Sequence, residues 1–316
     1  MNRLKHIFVV NPYSGKNDTA AEVICEAMKD RDDWEIYRTV APKDATRFVR
    51  ERASTGEELR FYACGGDGTI KEVTDGVIGF PNASMSVYPV GSGNDFVKYY
   101  GGSEPFLDVK ALVEGENRRI DAIETSVGGY SLNIVNFGFD TYVVRVMEKV
   151  KRKKFLGGKN AYTVGIIKAL ISAMKNRARV LVDGEEICSD SFLLCTVANG
   201  QYVGGSYRCA PLSLNDDGYL EVCLAKPLSR LTFLKLVSVY KNGKHLDDPR
   251  FEKYIVYRRC KKVEVFSDEG FAFTVDGEIV ETTHFTAEVR EGAVSFGVPK
   301  GAECIIKAPE KEPVLK

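Results

Sequence analysis

Along the first third of the chain, apolar runs and polar punctuation recur in one order. A short β-branched run at 6–10 ends in Asn11-Pro12-Tyr13-Ser14-Gly15-Lys16, after which Asp18 precedes Ala21, Ile24, Cys25 and Met28 at helical spacing. That predicts a strand, a turn and a capped helix. Residues 34–40 alternate as a second strand, and Asp44 opens a helix bearing Ala45, Phe48, Val49 and Ala53. The apolar run 59–63 leads into Cys64-Gly65-Gly66-Asp67-Gly68-Thr69, followed by Ile70, Val73 and Val77 on one helical face. A strand at 85–90 closes on Gly91-Ser92-Gly93-Asn94-Asp95, with Phe96, Val97 and Tyr100 beyond it, and a short helix is expected over 105–114. Strands alternating with helices build a parallel sheet.

From residue 119 the period changes. Alternating segments at 119–127, 130–136, 178–182, 191–198, 219–224, 254–257, 262–266, 271–275, 283–290 and 294–298 predict a β-sandwich. Helical insertions at 142–174 and 229–241 interrupt it. The expected organisation is an α/β nucleotide-binding domain over 1–120, a β-sandwich acceptor domain over 121–300, and a polar tail over 301–316 able to pack back on the first domain.

Composition narrows the function classes. A chain of 316 residues, 44% hydrophobic and 28% charged, is an ordinary globular protein with room for two cores. Lys+Arg and Asp+Glu are each 44, so no overall field draws it to nucleic acid, which is not an expected partner. The eight cysteines include no Cys-x-x-Cys and read as reduced residues of the core. The apolar run before Pro12 is too short for a signal peptide and no stretch reaches transmembrane length, so a cytoplasmic protein is expected. His6, His245 and His284 are isolated and read as structural.

The chemistry concentrates in the turns. Glycines at 65, 66 and 68 let the backbone approach a ligand closely, and the helix that follows points free N–H groups at an anion. Asp67 beside such a site is repulsive unless a divalent cation intervenes, which implies Mg²⁺ on a nucleotide. Parallel strands deliver their carboxyl ends to one sheet edge, so the turns at 11–16, 64–69 and 91–95 should line one crevice. None matches a P-loop or Gly-x-Gly-x-x-Gly. Val-Asp-Gly-Glu occurs twice, at 182–185 and 275–278; Asp-Gly between strands is a hairpin signal, and Asp183 and Glu185 are read as no more than that. Residues 214–219 form an acidic turn that is not an EF-hand. The basic residues at 149–154 and Lys159, beside Phe155 and Leu156, offer contact with anionic lipid.

In their order and spacing, Asn11-Pro12-x-Ser14-Gly15, Gly65-Gly66-Asp67-Gly68-Thr69, Gly91-Ser92-Gly93-Asn94-Asp95-Phe96, Asn199-Gly200 with Gly204-Gly205, Asp217-Gly218 and Val275-Asp276-Gly277-Glu278 resemble the diacylglycerol kinase catalytic domain family, which includes bacterial lipid kinases and sphingosine kinases. The resemblance implies an NAD kinase/phosphofructokinase-like α/β domain with a parallel sheet, a C-terminal β-sandwich domain with helical insertions, and a nucleotide crevice between them. It implies an ATP-dependent lipid kinase with Mg²⁺, diacylglycerol being the first expected acceptor. It assigns nucleotide contacts to Asn11, Pro12, Ser14, Gly15, Thr39, Gly65, Gly66, Asp67, Gly68, Thr69, Ser92 and Asn94, and the catalytic base to Glu278 with Asp276 beside it. It implies a second metal held by Asp217 and the carbonyls of Leu214 and Tyr219. The family often has Thr at the position of Ser92, and Val97-Lys98-Tyr99 replaces the Ala-Arg usual in many relatives. Peripheral contact with the membrane bearing the lipid follows from the implied substrate, and a homodimer is compatible with the sequence. An NAD kinase-like enzyme and a non-catalytic lipid sensor are the alternatives. Asn11-Pro12 and Asp217-Gly218 argue against the first, and the joint presence of Asp67 and Glu278 against the second.

Overall fold

The computed structural model describes residues 3–14, 17–151 and 159–302. Strands β1 (Lys5–Val10), β2 (Trp34–Arg38), β3 (Leu59–Gly65) and β4 (Ala83–Pro89) pair in parallel in the order β2-β1-β3-β4. Every residue of β3 and β4 is buried, as expected of central strands covered on both faces. Helices α1 (Asn17–Met28), α2 (Asp44–Ala53) and α3 (Asp67–Val77) follow the first three strands. Asp18 falls inside α1 rather than ahead of it. The start of α2 is capped from outside its own sequence: the Glu72 carboxylate on α3 accepts the N–H groups of Lys43 and Ala45, at 2.9 and 3.1 Å.

Two expected helices are shorter than drawn. The face after Gly93 is a 3₁₀ turn, Phe96–Tyr100. The 105–114 segment divides at Asp108, whose carboxylate accepts the N–H groups of Lys110 and Ala111 and so starts a second helix, Val109–Val113, after Glu104–Leu107.

In the second half, strands expected as separate pieces are continuous. Segments 262–266 and 271–275 are one strand, Lys262–Val275, and 283–290 and 294–298 belong to Glu278–Val298. Register shifts at Gly270 (φ +77°) and Gly292 (φ +56°) bend these strands instead of ending them. The first half of Lys262–Val275 pairs with Arg179–Val182 and its second half with Ile134–Gly138, so one strand serves both layers of the sandwich. Val180, Val197, Val222, Val263, Phe273 and Phe285 fill the space between them. The helical insertions are Phe139–Lys151, Lys159–Ser172 and Arg230–Lys241. The hairpin expected at Asp183-Gly184 is formed, its second strand being Glu185–Cys188.

The last strand joins the halves. Phe296 pairs in parallel with Met85 of β4, and Val294, Phe296 and Val298 pack in the first core with Ile120 and Ala122 of β5 (Glu116–Thr125). Ser86 donates its hydroxyl to the Gly297 carbonyl at 2.6 Å. The boundary near 120 therefore falls inside a strand that contributes to both cores. Residues 303–316, with Cys304, lie outside the described residues, as do Arg152, Lys153, Lys154, Phe155 and Leu156 of the basic stretch. The cysteines described are free, but Cys25 is exposed and not a core residue. His6 and His245 are buried, burial pushing each down to about 4, and His284 stacks on Phe266. Among the described residues no helix is long and apolar enough to cross a membrane.

Asp121, 1% exposed, ties this seam together: its carboxylate accepts the N–H groups of Gly218 and Gly292, both at 2.7 Å. Asp121→Ala would leave both donors without an acceptor, an expected loss of roughly 2–5 kcal/mol. Asp108→Ala, at an exposed cap, should cost only about 1 kcal/mol. Thermal unfolding of the two variants side by side checks the difference.

Candidate active site

The three turns meet at the carboxyl edge of the parallel strands. Asn11 donates its backbone N–H to the Cys64 carbonyl at 3.1 Å and its side-chain amide to Thr69 Oγ1 at 3.2 Å, tying the first turn to the second. Its side-chain oxygen accepts the Tyr13 N–H at 3.0 Å, which holds Pro12 in an exposed loop, and Ser14 donates back to the Asn11 carbonyl. Gly15 lies outside the described residues. Thr39 is buried at the end of β2 with its N–H on the Val10 carbonyl, 3.0 Å away.

The second and third turns touch through their backbones. Val90 and Gly91 both donate to the Gly65 carbonyl, at 3.0 and 3.1 Å, and a Cβ on Gly91 would stand 2.4 Å from Gly66 Cα. A Cβ on Gly65 would stand 2.1 Å from the Thr69 hydroxyl. Gly68, by contrast, faces open space at the start of α3, where Gly66 provides no side-chain cap. Asn94, at φ +50°, donates its amide to the Gly91 carbonyl, and its side-chain oxygen is buried without a hydrogen-bond partner. Ser92 is exposed beside it. A cradle without side chains, one open helix start and one orphaned acceptor fit a polyphosphate with an attached donor group.

Acidic side chains enter this cradle from both halves of the chain. Burial pushes Asp67 up to about 6, with the Asp95 charge adding to it, while the Asp95 N–H donates to Asp67 at 3.1 Å. A carboxyl held so far out of its range by burial and a like charge is relieved by a cation, so Asp67 fits a partner for Mg²⁺. Asp95 pairs with Lys98, and its two oxygens accept the Gly205 N–H at 3.0 and 3.1 Å, latching the cradle to the second half.

The repeated Asp-Gly turns separate structure from chemistry. Asp183-Gly184 and Asp276-Gly277 both have positive φ at both residues (+48°, +84° and +46°, +91°), as a two-residue hairpin needs. Each aspartate also anchors its hairpin: Asp183 accepts the N–H groups of Lys261 and Lys262, and Asp276 accepts the Ser131 hydroxyl at 2.7 Å and the Ile134 N–H at 3.2 Å. Only the second hairpin feels the cradle. Burial pushes Asp276 up to about 7; the bonds from Ser131 and Ile134 pull it down, the Asp67 charge pushes it up, and Lys71 pulls it down. Glu278 is exposed at the head of the last strand, its side chain making no hydrogen bond or ion pair among the described residues, and its charge acts on Lys71.

Sequence reading missed Lys71, Asp75 and the latch of Asp95. Lys71 lies one helical turn after Asp67 on α3, its ammonium 2.8 Å from Asp75, which in turn accepts the Tyr130 N–H at 2.7 Å. The i, i+4 spacing from Asp67 was the available signal.

At the expected second metal site the carboxylate has protein partners. Asp217 Oδ1 accepts the Tyr219 N–H at 3.1 Å and Oδ2 pairs with Arg259 at 2.7 Å, while the guanidinium lies 4.2 Å from the centre of the Tyr219 ring. Burial pushes Asp217 up and Arg259 draws it back down. Arg259 therefore stands beside the carboxylate of the expected site, while the charges of Asp121 and Asp216 push Asp217 further up.

Comparison with known proteins agrees with this architecture. The diacylglycerol kinase catalytic domain family matches residues 5–125, and the YegS C-terminal NAD kinase beta sandwich-like domain matches residues 133–297. A Chromohalobacter salexigens protein named "Probable lipid kinase YegS-like" is 28% identical over 82% of this chain and 82% of its own. The Bacillus subtilis "Diacylglycerol kinase" is 28% identical over 88% of this chain and 90% of its own. The "Crystal structure of a putative diacylglycerol kinase from Bacillus anthracis str. Sterne" shares the fold, with a TM-score of 0.76 at 24% identity, covering 95% of this chain and 96% of that one.

The glycines give a two-part expectation. Gly91→Ala has no room against Gly66 and should lower the melting temperature and ATP affinity together. Gly68→Ala meets nothing in the fold, so the melting temperature should hold while calorimetric ATP affinity falls at least about tenfold, or ~1.4 kcal/mol.

Proposed function

Because the chain belongs to the diacylglycerol kinase catalytic domain family and carries the YegS C-terminal domain, we propose that it is a lipid kinase that transfers the γ-phosphoryl group of ATP to a primary hydroxyl, with diacylglycerol as the acceptor and phosphatidic acid as the product. The observation that carries this reading is the approach of a carboxylate hairpin from one half to a glycine cradle from the other, close enough that Asp276 feels the charges of Asp67 and Lys71, and Lys71 that of Glu278.

In this mechanism, the N–H groups of Gly66 and Gly68 and the Thr69 hydroxyl line the phosphates, and Ser92 and Asn94 contact the nucleotide. Mg²⁺ bound with the nucleotide would supply charge neutralisation, and Asp67 is the residue that would hold it. Asp276 anchors the second hairpin on Ser131 and Ile134. Glu278, unencumbered at the head of its strand, takes the proton of the acceptor hydroxyl as that oxygen bonds to phosphorus and the bond to ADP breaks. The separation of roles follows from the paired hairpins: the aspartate does the same structural work in both, which leaves the glutamate free in the one that overlooks the cradle.

The reading is tested by incubating the protein with labelled ATP and, separately, diacylglycerol, sphingosine, ceramide, phosphatidylglycerol and NAD. Label in phosphatidic acid is expected; label in NAD alone, or in none of the five, would overturn it. Asp67→Ala should abolish turnover with the melting temperature unchanged, since the turn carboxylate contributes little to the core. Glu278→Gln should lower turnover on the order of 10²- to 10⁴-fold with nucleotide affinity retained, while Glu185→Gln in the control hairpin is silent. Equal small losses at the two glutamates would move the base to Asp276, which Asp276→Asn reads directly.

A further inference from the structure

One helix carries both a cradle residue and a support of the hairpin opposite. Helix α3 starts at Asp67, and Asp75 lies eight residues further along it, a rise of about 12 Å at ~1.5 Å per residue. The Asp75 carboxylate has two partners: Oδ2 accepts the Lys71 ammonium at 2.8 Å, and Oδ1 accepts the Tyr130 N–H at 2.7 Å. Lys71 and Asp75 are each only 14% exposed, so water competes little for these bonds. Burial pulls the Lys71 ammonium down, but its bond to Asp75 more than offsets this, and the charges of Asp75, Glu278 and Asp276 raise it further. The turn that delivers Tyr130 passes so close that a Cβ on Gly129, at φ +78°, would stand 3.0 Å from Asp75 and 3.1 Å from Lys71 Nζ.

From Tyr130 the chain leads directly to the candidate base. The next residue, Ser131, donates its hydroxyl to Asp276 at 2.7 Å and accepts the Asn133 N–H at 3.2 Å. Leu132 is buried in the first core. Ile134 is bonded twice to Asp276: its N–H donates to the carboxylate and its carbonyl accepts the Asp276 N–H, each at 3.2 Å. Glu278 stands across that turn, paired with Val275. Residues 130–134 thus form a strap, pinned to the cradle helix at Asp75 and to the hairpin at Asp276. The Asp183 hairpin is anchored instead on the N–H groups of Lys261 and Lys262, inside the second half.

We infer that Asp75, braced by Lys71, is a positioning residue of the phosphoryl transfer, which through residues 130–134 sets the candidate base Glu278 over the cradle, so that α3 fixes its separation from Asp67. Asp75 acts through the hairpin and not on the substrates. Displacing a reacting group by about 1 Å can cost on the order of 10²-fold in rate. Loss of this one link leaves the fold in place, because ladders hold the last strand on both sides. The part of Asp75 in turnover rests on the lipid-kinase reading, but its hold on the hairpin does not.

The test has one readout that needs no turnover. Amide hydrogen exchange of the full chain should quicken at least about tenfold at 275–278 in Asp75→Ala, while 182–185 exchanges as in the wild type. In kinase assays Asp75→Ala should lower kcat by roughly ten- to a hundredfold with calorimetric ATP affinity retained. Asp75→Asn, whose side-chain oxygen can still accept the Tyr130 N–H, should recover most of that loss. Because Asp75 acts through the base, Asp75→Ala/Glu278→Gln should be no slower than Glu278→Gln alone. Ser131→Ala cuts the same strap at its other end and serves if Asp75→Ala impairs folding, judged by melting temperature. Unchanged exchange at 275–278, ATP affinity falling as far as turnover, or losses that add in the double variant would overturn the inference. Faster exchange at 275–278 in a protein that phosphorylates no lipid would instead overturn the kinase reading and leave the strap standing.

Discussion

The geometry of the candidate site depends on the backbone pairing of the last strand. Glu278–Val298 begins at the candidate base and ends beside β4, whose own carboxyl end carries the glycine turn at 91. Between those ends it is held by Lys262–Val275 on one side and by β5 on the other. Few arrangements fix two distant groups so firmly, because each ladder hydrogen bond must break for the strand to slide, and a slip of one residue would turn its buried side chains to solvent. The crevice is thus bridged by ladder pairing that runs from one half into the other.

Within that frame the crevice is held away from its electrostatic optimum. Burial raises both Asp67 and Asp276, each charge opposes the other, and the cations nearby, Lys71 and Lys98, are partly spent on Asp75 and Asp95. A cluster of carboxyl groups that repel one another is a poor contributor to folding and a good host for a multivalent cation carrying a polyanion. The cost is carried by the apolar cores on either side, and by backbone donors such as Ile134 and Gly205 that are rigidly presented to the aspartates.

What could be read from the sequence was whatever local periodicity and turn chemistry determine. The parallel strands, the three glycine turns and both Asp-Gly hairpins were legible because alternation, φ > 0 demands and strand-to-helix order leave marks within a few residues. The latch of Asp95 on Gly205, the cap that Glu72 gives α2 and the pair of Lys71 with Asp75 and Tyr130 were not, since each depends on residues brought together only by the fold. The partner of Asp217 was hidden for the same reason, Arg259 standing forty-two residues further on. The gaps left at 267–270 and 291–293 are bulges that contain Gly270 and Gly292, and a glycine bulge and a loop have the same local signature.

The bend at Gly292 makes the last strand a lever. From that pivot to Glu278 the chain runs for fourteen residues, or about 45 Å of extended backbone at ~3.3 Å per residue. A rocking of only about 5° at the pivot would sweep its tip by roughly 4 Å, more than the span of a hydrogen bond. Asp121, clamped to the Gly292 N–H, is the fulcrum's brake. The ladders on both sides of the strand and this clamp together resist such a rocking, so the aim of the carboxylate at one end of the molecule is held in part by a single peptide group near the other.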